Sequence, residues 1–448
     1  MKKTFLFMGI AMLQFVHTSL AQKNFSALID KYLQAQVRVN EFSGVVLVAD
    51  NNKVIYKKAF GYADREWKSL NTPETKFEIG SVTKQFTAVA ILQLAEQGKL
   101  HVDDKLSMYF PGYPKGDSIT IHMLLNHSSG IADFTSLPAF YPVHTLPLVR
   151  DSVISLFKNQ SFTFSPGTKW AYSNSGYFLL GCIIEQVTKQ DYRTYLYENV
   201  IKRAALKNTS ANRLDSVLAL RARGYSKTEN NKWKNAEYFS MEIPFSAGSM
   251  ISTVEDLYFW ERTLLSGNIV SKDMLLKMTT PYLSNYGYGL RIDTFQQQVR
   301  ILHTGTIPGF SSYLGGINSR GISIVILSNC DFTTDAIADA ITATLFNLAV
   351  QLPYKPVERH INKIVLKRYN GKYQVGGTTN FNLLERDGKL YLKPEGGGEI
   401  ELKPESETKF FFARDPSQEF EFIIDSKGLI TNCFFINKGS KIAFKKLN

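Results

Sequence analysis

Gly80-Ser81-Val82-Thr83-Lys84-Gln85-Phe86-Thr87-Ala88-Val89-Ala90-Ile91-Leu92-Gln93-Leu94-Ala95-Glu96-Gln97-Gly98 is the stretch from which the rest of the chain is read. Ser81 to Gln97 is rich in helix formers and free of proline, so it reads as a helix stopped by Gly98. Ser81 opens it. Residues three apart share a helix face, which stands the Lys84 ammonium beside Ser81 Oγ. A helix N-terminus leaves backbone N–H groups unpaired and positive. That of Ser81 can stabilise an oxyanion. Ser-x-x-Lys at a helix start therefore has the parts of a nucleophilic site, with a plain N-cap serine as the competing explanation. Ser155-Leu156-Phe157-Lys158 and Ser406-Glu407-Thr408-Lys409 share the spacing. The first lies inside a helical pattern and the second in a β-rich tail, so neither serine opens a helix.

Two further clusters accompany it. Tyr172-Ser173-Asn174 follows Ser165-Pro166-Gly167 and precedes a helical run from about Gly176 to Thr188. A tyrosine of ordinary pKa, about 10, is a poor base at neutral pH. A cationic Lys84 nearby would lower that pKa and make a base of it. Asn174 could hydrogen-bond Lys84 or a substrate amide. The spacing alone is unspecific, since Tyr197-Glu198-Asn199 repeats it. The second cluster, His303-Thr304-Gly305-Thr306, ends a β-type run. Gly305 lets a substrate backbone lie close, and the Thr306 N–H is a candidate second oxyanion donor. His303 and Thr304 are candidates for a substrate carboxylate. Taken singly, Tyr172 reads as a half-buried aromatic and His303 as a hydrogen-bonded surface histidine. The sequence holds no P-loop, no His-Glu-x-x-His, no Gly-x-Ser-x-Gly and no His/Cys cluster at metal-ligand spacing. Neither metal nor cofactor is expected.

Strands flank this region. Ser43–Val48 and Val54–Phe60 surround the hairpin signal Asp50-Asn51-Asn52. Val299–His303, Ser311–Ile317 and Ile322–Asn329 follow the helical insert, and Thr333–Val350 is helical again. Asn24–Val39 has apolar residues at helical spacing. Two β-rich ends around a helical insert predict one sheet built from both ends, the insert packed beside it and a cleft between. After Pro353–Pro356 the texture changes to short strands: Lys389–Leu392, Lys409–Ala413, Glu419–Ile424, Ile430–Ile436 and Ile442–Lys446. That is an all-β sandwich or small barrel. The expected layout is a signal peptide over 1–21, a hydrolase-type α+β domain over 22–352, a linker over 353–363 and a β-barrel over 364–448.

The chain has 448 residues, 44% hydrophobic and 21% charged, the proportions of a globular protein. Met1-Lys2-Lys3, the apolar Thr4–Val16 and Ser19-Leu20-Ala21 read as a secretory signal cleaved before Gln22. The protein is therefore expected outside the cytoplasm, periplasmic or secreted, with no transmembrane anchor. Cys182, Cys330 and Cys433 do not suggest a stapled scaffold. The net charge of +12 is spread along the chain without a basic run interleaved with aromatics, so nucleic acid is not an expected partner. Anionic cell envelope is the more plausible neighbour.

In their order, Ser-x-x-Lys, Tyr-x-Asn and His-Thr-Gly resemble the class C β-lactamase and penicillin-binding protein group, which includes D-alanyl-D-alanine carboxypeptidases, D-aminopeptidases and esterases. The flanks Phe77-Glu78-Ile79-Gly80, Leu124-Leu125-Asn126-His127-Ser128-Ser129-Gly130 and Ala247-Gly248-Ser249-Met250 are similar too. The resemblance spans roughly Phe25–Val350. It implies a β-lactamase/transpeptidase-like antiparallel sheet flanked by helices plus an all-α region, with the site between them. Carried over, Ser81 is the acylated nucleophile, Lys84 assists proton removal and Tyr172 is the general base. Asn174 is a substrate-side donor, and the N–H groups of Ser81 and Thr306 form the oxyanion hole. His127 is read as structural. The group's β-lactamases carry lysine where this chain has His303, which points toward peptidases and esterases. It also implies pH-dependent substrate affinity through a cationic His303. The tail is similar to the small lipocalin-like β modules of some members, on Tyr369-x-Gly371-x-Tyr373, Leu390-Tyr391-Leu392 and Phe410-Phe411-Phe412. The implied activity is hydrolysis of D-amino-acid peptides, β-lactams or small esters through Ser81, on a small-molecule or peptide substrate derived from cell wall. A non-catalytic penicillin- or muropeptide-binding protein is the alternative.

Overall fold

The structure is a computed structural model. It describes residues 25–212, 217–228, 231–375, 379–413, 416, 418–437 and 440–447. The segment read as a signal peptide lies outside them. The chain divides into two compact units at Leu348/Ala349.

The first unit is built on one antiparallel sheet. Helix α1 covers residues 25–40. Strands β1 (Gly44–Asp50) and β2 (Lys53–Phe60) follow. Asn51 and Asn52 join them, both at positive φ (50° and 62°), the backbone that a two-residue hairpin turn requires. Helix α2 (Thr83–Glu96), helix α3 (Asn174–Thr188) and helix α4 (Val254–Leu265) belong to the insert. The chain then returns through β3 (Arg291–Phe295), β4 (Gln298–Ile307), β5 (Phe310–Ile317) and β6 (Ile322–Ser328), and closes with helix α5 (Thr334–Leu345). The sheet order is β3-β4-β5-β6-β1-β2. The joint between the two chain ends is the β1–β6 pairing, with Val46 opposite Ile326. Every residue of β1, β5 and β6 is buried, so both sheet faces are covered, as the near-continuous apolar runs of β1 and β6 require.

Helix α2 is buried from Thr83 to Leu94, which makes it the axis of the helical region rather than an amphipathic surface helix. Its link to the sheet side is aromatic. Trp260 of α4, fully buried, stacks on Phe86 of α2 at 3.9 Å between centroids and donates Nε1 to Gln85 Oε1 at 2.9 Å. One apolar cluster runs from the sheet through α2 and α3. Strand β3 was not foreseen. It is short, with alternating polar residues, and pairs only because β4 offers it an edge.

The second unit is a closed antiparallel barrel of eight strands: β7 (Gly371–Val375), β8 (Thr379–Arg386), β9 (Lys389–Pro394), β10 (Ile400–Pro404), β11 (Lys409–Phe412), β12 (Gln418–Ile424), β13 (Ile430–Asn437) and β14 (Ser440–Lys446). Tyr373 opposite Lys446 closes the ring. The reading of five strands missed β7, β8 and β10. Asn380, Asn382 and Glu385 give β8 a weak strand signature, and closure supplies the pairing that its composition does not advertise. The interior is filled by Tyr369, Tyr373, Phe381, Phe410, Phe420, Phe422 and Phe444.

Trp260→Ala removes the stack between α4 and α2. It lowers the unfolding free energy of the first unit by about 3–5 kcal/mol, measured as a lower urea midpoint at unchanged slope.

Candidate active site

Gly80–Val82 form a single 3-10 turn that runs into α2 at Thr83. In such a turn residues i and i+3 eclipse, and Lys84 Nζ stands 3.0 Å from Ser81 Oγ. The turn is pressed against β4. A Cβ on Gly305 would meet Ile79 O at 2.0 Å and Ser81 N at 2.9 Å, and one on Gly80 (φ +51°) would meet Thr306 N at 2.8 Å. Only two glycines allow these backbones to touch. The contact brings the nitrogens of Ser81 and Thr306 to one lip. Strand β3 ends its pairing opposite Leu302, so the His303–Ile307 edge of β4 faces this turn rather than a strand. Ser81 is partly open to solvent and Thr306 is exposed.

Lys84 is fully buried. Besides Ser81 it contacts Asn174 Oδ1 at 2.8 Å and the Ala247 carbonyl at 2.8 Å. Burial pulls its pKa down from 10.5 to about 7, partly opposed by the negative charge of Asp133. A neutral amine donates two hydrogens and accepts one. The two carbonyl oxygens take the donors, which leaves the lone pair for the Ser81 hydroxyl. Lys84 thus has the geometry and the proton affinity of a base at neutral pH.

Tyr172 departs from expectation. Its hydroxyl hydrogen-bonds Ser81, but burial raises its pKa well above 10, the Ser81 bond opposes this only in part, and Asp133 adds to the rise. The residue keeps some solvent-open surface, while protein encloses its hydroxyl end. Lys84 Nζ lies over the ring face, 4.7 Å from its centroid. It does not make the tyrosine acidic. Burial thus favours the phenol form within a resting Ser81–Lys84–Tyr172 cluster.

Asn174 opens α3. Its backbone N–H goes to Asp133 Oδ1 at 3.1 Å, and its amide nitrogen to Asp133 Oδ2 and Thr135 Oγ1, each at 3.3 Å. Thr135 in turn donates to Asp133 Oδ2 at 2.7 Å. The amide protons are thereby engaged, and Asn174 Oδ1 accepts from Lys84. Asp133 was not singled out in the sequence. It follows Gly130 by three residues, and nothing local marks it.

His303 is 5% exposed. Nδ1 lies 2.6 Å from the Thr304 carbonyl and Nε2 lies 2.7 Å from the Tyr286 hydroxyl. A carbonyl only accepts, so Nδ1 carries the proton and Nε2 accepts from Tyr286. Burial first, then repulsion from Lys84, lowers its pKa to about 3. It is neutral throughout the range where a charged-histidine anchor would act, and both nitrogens are occupied. A carboxylate contact through His303 would need one of these two hydrogen bonds to open. Thr304 remains partly exposed beside it.

His127 lies under the site at φ +63°, fully enclosed. Burial, and then the charges of Lys84 and His303, keep its pKa well below 6.5. The other Ser-x-x-Lys matches are elsewhere: Ser155 sits inside a helix and donates to the Ser152 carbonyl, and Lys409 is on β11 of the barrel. Among the described residues no group of three or more His, Cys, Asp or Glu side chains is placed to hold a metal. No helix among them is long and apolar enough to cross a membrane.

The family model described as Beta-lactamase matches residues 26–347. Penicillin-binding protein 4* of Bacillus subtilis (strain 168) is 28% identical over 413 residues, 86% of this chain and 91% of that protein. Among solved structures, the octameric penicillin-binding protein homologue from Pyrococcus abyssi superposes with TM-score 0.69 at 25% identity, over 94% of this chain and 99% of that one. A D-stereospecific amidohydrolase from Streptomyces sp. gives 0.64 at 26% identity, over 72% and 99%.

Gly305→Ala drives a methyl into the Ile79 carbonyl and against Ser81 N. It costs about 1–3 kcal/mol of stability, read by thermal unfolding, and slows acylation of Ser81 by displacing the turn.

Proposed function

This chain belongs to the beta-lactamase family, and on that premise we propose that it hydrolyses D-amino-acid peptides, amides or small esters through an acyl ester on Ser81. The observation that carries the reading is the buried Lys84 amine, 3.0 Å from Ser81 Oγ, with its other two contacts on carbonyl oxygens. Neutral Lys84 takes the Ser81 proton as Oγ bonds to the substrate carbonyl carbon. The N–H groups of Ser81 and Thr306 hold the resulting oxyanion. As the bond to the leaving group breaks, that group receives the proton from Lys84 through the Tyr172 hydroxyl. Water then attacks the acyl carbon, gives up its proton to the Lys84–Tyr172 pair, and Ser81 leaves with a proton restored.

The substrate class rests on two supports. The Streptomyces protein similar to this chain is a D-stereospecific amidohydrolase. Neutral, fully engaged His303 offers no cation to a β-lactam carboxylate, which disfavours efficient β-lactam turnover. Thr304 is left as the substrate-facing group of that strand. On this reading residues 1–21 are removed on export, 22–352 form the hydrolase domain and 364–448 the attached barrel. The substrates are then small cell-wall-derived peptides outside the cytoplasm.

Intact-protein mass after incubation with a fluorophosphonate, and separately with a penicillin, tests the nucleophile. Wild type gains the adduct and Ser81→Ala does not. A persistent penicillin adduct fits slow, peptidase-like deacylation, and a phosphonate-only adduct an esterase. No adduct with either probe on folded protein would sink the reading in favour of a binding protein. The rate of phosphonylation rises with pH through a midpoint near the Lys84 value of about 7, because deprotonation creates the base. Asp133→Asn removes the charge that holds this pKa up, so the midpoint moves to lower pH.

A further inference from the structure

Tyr172 is gripped by a residue that the chemistry above does not use. The N–H of the residue before it, Ala171, donates to the His127 carbonyl at 3.1 Å. The N–H of the residue after it, Ser173, donates to His127 Nδ1 at 3.1 Å. Between these two bonds the Tyr172 ring packs on the imidazole, 4.4 Å between centroids. Tyr286 and Tyr177 pack on the same imidazole at 4.6 and 5.2 Å. The backbones leading to this point are already laddered, through Gly167 N–H to Ser128 O and Thr163 N–H to Gly130 O. His127 extends that ladder by one side-chain rung.

Filling space would not need a histidine here. The position has a left-handed backbone, which glycine adopts freely and which asparagine tolerates as histidine does. Nδ1 accepts from Ser173, so the ring proton is on Nε2. That nitrogen is buried with no hydrogen-bond partner, which costs free energy. An apolar residue would avoid that penalty and a glycine would avoid the strain, but neither supplies an acceptor to Ser173 together with a flat face to Tyr172. Strain and an unmet donor at one residue are tolerated where the geometry they secure is used.

We propose that His127 is a positioning residue for Tyr172, fixing the backbone on both sides of the tyrosine and the plane of its ring so that its hydroxyl meets Ser81. The proposal rests on the Ser81 hydrolase reading for its catalytic consequence, and on geometry alone for its structural one. His127 touches neither Ser81 nor Lys84 by hydrogen bond and acts through Tyr172.

Two substitutions separate this role from simple packing. His127→Gly keeps the left-handed backbone but loses acceptor and ring. His127→Asn also suits that backbone and puts Oδ1 close to the place of Nδ1. Misplacing one reacting group can cost about 100-fold in rate. At saturating fluorophosphonate His127→Gly therefore labels Ser81 slower by about that factor, with an unchanged half-saturating concentration, and His127→Asn recovers at least about a tenth of the wild-type rate. Crystal structures of both variants show the Tyr172 ring displaced in the first and retained in the second, with Ser81 and Lys84 in place in each. A folded His127→Gly protein that labels like wild type with Tyr172 unmoved overturns the proposal. If the glycine variant does not fold, a folded His127→Asn protein with Tyr172 displaced overturns it and one with Tyr172 retained upholds it. If wild type itself never labels, the hydrolase reading fails, and the ring position in the variants still decides the positioning role.

Discussion

Everything at this site depends on keeping one lysine away from water. Lys84 is fully enclosed, and removing hydration from an ammonium is among the larger electrostatic penalties available to a protein. The protein meets it by letting the amine lose its proton near neutrality and by giving the remaining hydrogens two carbonyl acceptors. The same enclosure that lowers the Lys84 pKa favours the phenol form of Tyr172 and the neutral form of His303. Three pKa values are moved by one cause, and the division of labour among the groups follows from it.

Enclosing Lys84 takes residues from distant parts of the chain. The lysine comes from α2. Asn174 comes from the first turn of α3, locked by Asp133 and Thr135. The Ala247 carbonyl comes from a short helix, Phe245–Gly248. The lip beside Ser81 comes from β4, which touches the turn only because Gly80 and Gly305 lack side chains. The sheet that carries β4 is completed by β1 from the other end of the unit, so the lip beside Ser81 rests on a sheet built from both ends. A barrel packed with aromatic rings forms a second core after Ala349.

The parts of the fold most legible in the sequence were those with strong local signatures. The Asn51-Asn52 hairpin, the apolar runs of β1 and β6 and the α2 pattern state their structure within a few residues. Strands β3, β7, β8 and β10 do not, since their polar residues disguise them and their stability comes from neighbours that are remote in sequence. The candidate site followed the same rule. Ser81 and Lys84 were readable because three residues separate them on one turn. Asp133 and the Ala247 carbonyl were not, because a carboxylate 41 residues before its partner and a backbone oxygen carry no spacing signal.

Sequence by itself determined the inventory: a serine and a lysine on one helix face, a tyrosine and asparagine at the mouth of another helix, and a glycine strand to lie against them. It also determined the order of motifs that marks the family. What only the tertiary structure decided was the protonation of these groups. Desolvation and charge–charge interactions depend on what surrounds a side chain in space, and the surroundings of Lys84, Tyr172 and His303 are assembled from residues distant in sequence, as Lys84 and His303 are from each other. Spacing can place two groups side by side; burial by the rest of the chain sets which of them holds the proton.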